Sequence, residues 1–392
     1  MLDMARVAQA LTARRDDLAS YQSLSGLTME ALRGEFARVA AMPQRELEAL
    51  LAGCPSPGAR PGPEHDRAGT PIIPFPQRWR NHQEARAWAL EVLSGVTVIA
   101  VDGSQIAPSR EYSLPVGAVQ IAWFENPHDH KGRYVKDISF EILAPDDLAG
   151  DDGEGAFPDS EVNLRRFEGE CERLCALMAA HSGEQDPPVC LFDGSLIVSF
   201  AQHLGPAQQT RYVRAVTGML STSERLRVPL FGYVDTSYAA DLVAMLDHLA
   251  GRQTASRASD AALLQPLMQW GDRTPGWICA RHDRVAPVDG ASYYAQVAFV
   301  YLKTTGTNPP ARLDMPRWLL EDATALAQAL DVIRAECIVG NGYPYAAETA
   351  DAVAVITSED RERFYAALQR FAEREGLPFY HSRKAGSKRQ RR

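Results

Sequence analysis

The chain has 392 residues, 45 % of them hydrophobic, with 41 Lys and Arg against 50 Asp and Glu for a net charge of −9. That length buries a sizeable core in two or three domains, or in one large domain with an appendage, and the acidic balance argues against a chain that coats nucleic acid with a broad basic face. No apolar run reaches the roughly 18 residues of a membrane span and the first residues hold no signal-peptide core, so a soluble cytoplasmic protein with no membrane partner is expected.

Residues 1–53 read as helices. ARVAQALTARRDDLASYQSL is followed, after Ser25, Gly26 and Leu27, by TMEALRGEFARVAAMPQRELEALLAG, with apolar residues at helical spacing and Thr28 placed to cap the second helix. Residues 54–76 are dense in Pro and Gly and read as a linker that few core contacts should cross. NHQEARAWALEVLSG is a helix leading into the apolar strand VTVIAV. SLPVGAVQIAWFEN and GRYVKDISFEIL are two further strands, and the loop between them carries His128, Asp129 and His130, read as a solvated turn. The acidic, Gly-rich stretch 145–159 reads as a flexible loop. NLRRFEGECERLCALMAAH is an amphipathic helix, with Leu164, Phe167, Cys171, Leu174, Cys175 and Met178 on one face.

Strand and helix then alternate through VCLFDGSLIVSF, RYVRAVTGMLSTSERL, VPLFGYVDTS and YAADLVAMLDHLA, which predicts a parallel sheet covered by helices, with ligands at the carboxyl ends of its strands. Residues 251–290 read as an irregular insertion with a short helix around Leu263 to Trp270. YYAQVAFVYLKTT and ARLDMPRWLL supply a last extended pair, and ETADAVAVITSEDRERFYAALQRFAER one closing helix. The last ten residues hold six positive charges, leaving −15 for the remainder, and 381–392 read as a basic tail. The six cysteines form no C-x-x-C pair, so neither a zinc knuckle nor a disulfide framework is indicated.

Three apolar runs end on aspartate: Asp102 in VTVIAVDGS, Asp193 in VCLFDGS and Asp235 in LFGYVDTS. One such aspartate is ordinarily a turn former. Three at strand ends in one domain make an oxygen-rich cluster, whose mutual repulsion is relieved most simply by a hard divalent cation. Asp102 and Asp193 are therefore expected close enough to share one.

The paired AVDGS and LFDGSL motifs, followed far downstream by GYPYAAETAD, resemble the NurA nuclease family over roughly residues 96–356. The resemblance implies an α/β fold, an RNase H-like mixed sheet flanked by helices, spanning 77–380 with the 251–290 insertion and carrying the N-terminal helices as an appendage. It implies a metal-dependent DNA nuclease that processes ends. A glutamate ligand is implied on the helix before the second DGS strand, Glu168 or Glu170, with Glu170 preferred by its spacing from Arg166. Relatives carry a histidine several residues after GYP, where this chain aligns Asp351. That residue becomes a metal ligand by resemblance, although a carboxylate in the first turn of a helix is also what the helix dipole favours.

The expected site is then Asp102, Glu170, Asp193 and Asp351, with Asp235 completing the oxygen shell, Mn2+ or Mg2+ as the cation, and Ser104, Ser195, Lys303, Arg312 and Tyr343 as substrate contacts. Hard cations held by carboxylates suit phosphodiester hydrolysis. The resemblance further implies DNA, a second copy of the chain and a HerA-type hexameric ATPase as partners; the chain itself has no Walker A pattern to supply energy. A competing reading is a nuclease-fold subunit whose metal site has decayed, acting as a DNA-end-binding or ATPase-docking scaffold. The missing histidine keeps that reading open.

Overall fold

The computed structural model describes residues 2–149, 159–252, 254–282, 285 and 292–380, with all their side chains save those of 16–27. In chain order the elements are α1 (Met4–Ala13), α2 (Arg15–Ala40), α3 (Gln44–Leu51), β1 (Gly58–Pro61), α4 (His65–Ala68), α5 (His82–Leu93), β2 (Val98–Ile106), β3 (Gly117–Asn126), β4 (Val135–Leu143), α6 (Pro145–Leu148), α7 (Asp159–Ala180) and β5 (Val189–Asp193). They continue as α8 (Pro206–Leu226), β6 (Leu230–Val234), α9 (Asp241–Leu249), α10 (Asp260–Leu264), β7 (Trp277–Ala280), β8 (Val297–Leu302), β9 (Ala311–Pro316), α11 (Arg317–Glu321), α12 (Ala323–Val339), α13 (Tyr345–Ala354) and α14 (Ser358–Glu375). The strands form one mixed sheet in the order β1-β7-β8-β9-β6-β5-β2-β3-β4, flanked by helices as expected. No helix among the described residues is long and apolar enough to cross a membrane.

The chain divides into two compact units. One comprises Met1–Gln77, Val234–His282 and Tyr294–Leu313, the other Arg78–Tyr233, Asp283–Tyr293 and Asp314–Arg392.

In the second unit β2, β3 and β4 form an antiparallel meander, with Val98 opposite Asn126 and Ile106 opposite Ala118 along the first pair. β5 then returns parallel to β2, and β6 parallel to β5. This is the RNase H-like start expected from the sequence. The β2–β5 ladder stops at Val101 opposite Phe192, yet β2 runs on for five residues. One side of the strand is thereby opened from Asp102 onward. α7 covers the face carrying Ile121 and Gly103, since a side chain at Gly169 would meet Ile121 at 3.0 Å. α13 covers the other face, where Gln120 donates to the carbonyls of Val353 and Ala354 at 3.4 and 3.0 Å. Because side chains alternate along a strand, Asp102 belongs to the α13 face.

α13 is anchored by a buried carboxylate. Glu336 on α12, 1 % exposed, accepts the Ala346 N–H at 2.7 Å with one oxygen and faces His128 Nε2 at 3.4 Å with the other. His128 in turn sets its Nδ1 2.7 Å from the Val96 carbonyl. The residue read as part of a solvated turn is therefore half-buried and ties the β3–β4 loop to α12. Burial alone would lower its pKa, but Glu336 and the Val96 carbonyl prevail and hold it above its ordinary value. The pair's contribution to stability is then full below the ordinary value near 6.5 and is lost as pH rises through the raised one. Urea denaturation of the wild type should show this decline on the alkaline side of 6.5, and His128→Gln should flatten it; an unchanged slope in the variant would count against the pair.

In the first unit the Pro- and Gly-rich stretch departs from its reading as a linker. β1 lies in it and pairs antiparallel with β7, Gly58 opposite Ala280 and Pro61 opposite Trp277. Trp277 is fully buried, with the rings of Phe36 and His65 at 6.1 and 5.7 Å. Glu64 grips Arg273 through both carboxylate oxygens at 2.6 and 2.9 Å. Helix α2 also runs unbroken through Gly26, so Thr28 lies inside it rather than at a helix start; a single internal glycine costs a helix only about 1 kcal/mol. Within 251–290, read as irregular, lies strand β7.

The closing helix is likewise two helices. It breaks at Val355 to Thr357, where the Thr357 hydroxyl and the Asp360 carboxylate cap one another's N–H groups at the start of α14. The tail 381–392 and residues 150–158 of the acidic loop lie outside the described residues.

Candidate metal centre

Adjacent parallel strands bring Asp102 and Asp193 together. Each follows the last paired residues of the β2–β5 ladder, so they stand one step beyond Val101 and Phe192 on strands spaced about 4.8 Å apart. Asp102 is half-buried and Asp193 exposed, which opens the pair to solvent.

Glu170 reaches the same place from α7. It is 4 % exposed and lies against β2 where β5 has withdrawn; a side chain at Gly103 would sit 2.6 Å from Glu170 Oε1 and 2.8 Å from Arg166 Cγ. The glycine of the first DGS is required because it lets a carboxylate approach the strand. Gly103→Ala should push Glu170 and Arg166 aside at a cost of about 1–3 kcal/mol, read as a drop in melting temperature together with weaker cleavage. Gly194 of the second DGS serves differently, at φ +146°, a backbone conformation that a side chain would strain.

Glu168 points elsewhere. Arg211 on α8 holds it with Nε and Nη2 at 2.8 and 2.5 Å and takes Glu161 with Nη1. Of the two candidates, Glu170 is the one the fold brings to Asp102.

Electrostatics couple the carboxylates to one another, and the coupling is repulsive. Burial pushes the Asp102 carboxyl up to about 6, with the charges of Asp193 and Asp351 adding to the rise. Glu170 is pushed up to about 8, mainly by burial, with Arg166 opposing and Asp102 and Asp193 adding. Asp351 enters from α13, which packs on β2 and β3. It is the seventh of ten residues in that helix, so the reading of a carboxylate favoured by a first-turn dipole falls away; the first-turn acid is Glu348. Near a helix C-terminus the dipole opposes a negative charge.

Tyr343 joins from the loop before α13, donating its hydroxyl to Asp193 Oδ1 at 2.6 Å, with the Tyr233 ring edge-on at 4.9 Å. Ser195 is engaged in holding its own loop. Its hydroxyl donates to Asp314 at 2.6 Å, and the same fully buried carboxylate accepts the Leu196 N–H at 3.2 Å. Ser104 Oγ accepts the Ile356 N–H at 3.4 Å.

Three expected site residues lie in the first unit. Arg312 is 1 % exposed, donates to Asp241 beside Arg281, and stacks its guanidinium 3.9 Å over the Phe299 ring. Lys303 is buried on the Asn308 carbonyl. Asp235 follows β6, half-buried, with the Thr236 hydroxyl against it.

The donor set suits a hard cation: four carboxylates and no sulfur or imidazole. Among the described residues, no three such side chains as placed converge on a single ion position. Glu170 is turned onto Arg166 Nη1, 2.8 Å away. The chemistry of the donors fits, and Glu170 is engaged by Arg166 rather than by the other carboxylates' centre.

The NurA domain model matches residues 96–356, and the chain belongs to the NurA family. No curated protein matches it. Among solved structures it is similar to the NurA nuclease from Sulfolobus solfataricus, at 15 % identity over 71 % of this chain and 85 % of that one, with a TM-score of 0.47. It is also similar to a NurA bound to dAMP and manganese, at 12 % identity over 70 % and 88 % of the two chains and a TM-score of 0.36. The catalytic domain of human Endonuclease V matches at 15 % identity over 85 % and 96 %, with a TM-score of 0.34.

Proposed function

We propose that this chain is a divalent-cation-dependent deoxyribonuclease of the NurA type, acting on DNA ends in repair. The observation that carries the reading is the pairing of Asp102 and Asp193 at neighbouring strand ends, joined by Glu170 from α7 and by the charge of Asp351 from α13, within the span matched by the family model. Those four residues would hold the cation, Mn2+ in keeping with the manganese in a solved relative, or Mg2+. When bound, it supplies a lowered pKa for the attacking water and neutralises charge on the phosphodiester.

The chain's own residues shape the site. Tyr343 fixes the orientation of Asp193 through its hydroxyl, and Asp314 holds the loop that follows Asp193. Asp193 and Asp351 face solvent, on the side from which DNA would approach. We propose further, as the family resemblance implies, a homodimer that works with a HerA-type hexameric ATPase feeding it DNA, and, from the sequence, a cytoplasmic location.

End-labelled single- and double-stranded DNA, incubated with Mn2+, Mg2+ or EDTA, tests the reading. Cleavage with either ion, lost in EDTA and in Asp102→Asn, is the expected result. DNA-end binding without cleavage under any ion would favour the scaffold reading, to which the unconverged carboxylates lend support.

A further inference from the structure

Arg166 stands on α7 one turn before Glu170 and brings the guanidinium charge into the carboxylate cluster. Its Nη1 donates to Glu170 Oε1 at 2.8 Å and to the Gly103 carbonyl at 3.2 Å. Both bonds come from a single nitrogen, and the buried Nε–H has no hydrogen-bond partner. Arg211, on the neighbouring helix, shows what a committed structural pair looks like: it grips Glu168 with two nitrogens side by side and adds Glu161 with the third. By that measure Arg166 is under-bonded. It is also 31 % exposed in its side chain where Glu170 is 5 % exposed, so it has room to leave while Glu170 has little.

The position it occupies is the one a cation needs. Gly103 leaves a gap on β2 into which both side chains pack, and Glu170 gives Oε1 to Arg166 there. A buried carboxylate beside two others is costly to leave without a counter-charge. We propose that Arg166 is the resident counter-ion of this centre, holding Glu170 while no metal is bound and competing with the metal for it. This rests on the metal-centre reading above. The competition sets the affinity: the cation binds only the fraction of molecules in which Glu170 has left Arg166, so apparent affinity falls by that fraction.

The test measures metal binding itself. Free Mn2+ is followed by electron paramagnetic resonance during titration of the full chain, for wild type, Arg166→Met and Arg166→Lys. Arg166→Met should bind Mn2+ about tenfold more tightly than wild type and melt at a lower temperature in EDTA. Arg166→Lys, which can supply one donor and one charge as Nη1 does, should stay within about twofold of wild type. Equal or weaker Mn2+ binding by Arg166→Met overturns the proposal. If that variant fails to fold, the wild type decides: the Arg166 Nε–H resonance should move on saturation with diamagnetic Mg2+, and a resonance that stays put overturns it equally. A wild type that binds no Mn2+ overturns the metal-centre reading beneath it.

Discussion

Deleting residues 1–76 is expected to leave a chain whose first unit does not fold. The sequence suggests the opposite, because a Pro- and Gly-rich linker should make the N-terminal helices separable. In the structure that stretch is bonded into the unit: β1 along β7, Phe75 N–H to Asp272 at 2.9 Å, and Glu64 to Arg273 and to the Gly276 N–H. Leu32, Phe36, Val39, Leu47 and Leu51 are each fully buried. At about 1.5–3 kcal/mol for each such side chain, their loss alone removes on the order of 10 kcal/mol, comparable with the whole stability of a domain. Deletion also leaves the Arg273 guanidinium without Glu64 and bares Trp277. Circular dichroism melting and limited proteolysis of residues 77–392 should show loss of a cooperative transition and cutting within 234–313. A truncated chain that melts like the full one would show that the N-terminal region is an appendage after all.

The misreading of 54–76 has a physical source. Proline and glycine mark irregular backbone because they disfavour interior strands, but β1 is at the end of the sheet, where a missing N–H costs nothing. Helix α12 carries little amphipathic signal because burial runs all round its second half, where Val332, Ile333, Arg334, Ala335, Glu336, Cys337 and Ile338 are buried in succession. Lys303 and Arg312 entered the substrate set because the last extended pair resembles the family's paired final strands, which could face the site. Arg312 instead neutralises Asp241 inside the first unit, and Asp241 lies 71 residues away in sequence.

The aspartates were legible for the converse reason. An apolar run followed by DGS states both the strand and its end, and a parallel ladder then places two such ends side by side. Choosing between Glu168 and Glu170 needed a fact no local pattern carries, that Arg211 on α8 takes Glu168. Nor does the sequence alone say what the glycine of the first DGS does, which is to admit Glu170 to the strand.

Asp351→Asn is expected to abolish most cleavage while leaving the metal-free fold at least as stable as wild type. The residue is exposed in the second half of α13, so no first-turn dipole rewards its charge, and its main-chain carbonyl still accepts the Val355 N–H whatever the side chain. Its charge helps raise the Asp102 carboxyl to about 6, which marks repulsion in the metal-free cluster that asparagine would relieve. Melting temperature in EDTA should therefore hold or rise slightly. With Mn2+ the order reverses: the wild type gains stability by mass action, and a variant with about 100-fold weaker binding gains about 2.7 kcal/mol less at the same saturating ion. Cleavage should fall by at least on the order of 100-fold, a loss that even the outer partners of a metal site can cause. Parallel melts with and without Mn2+, and cleavage of end-labelled DNA, measure both effects on one preparation. If the variant cuts DNA and gains stability from Mn2+ as the wild type does, Asp351 is a surface residue of α13, and the fourth ligand must be sought elsewhere, first at Asp235.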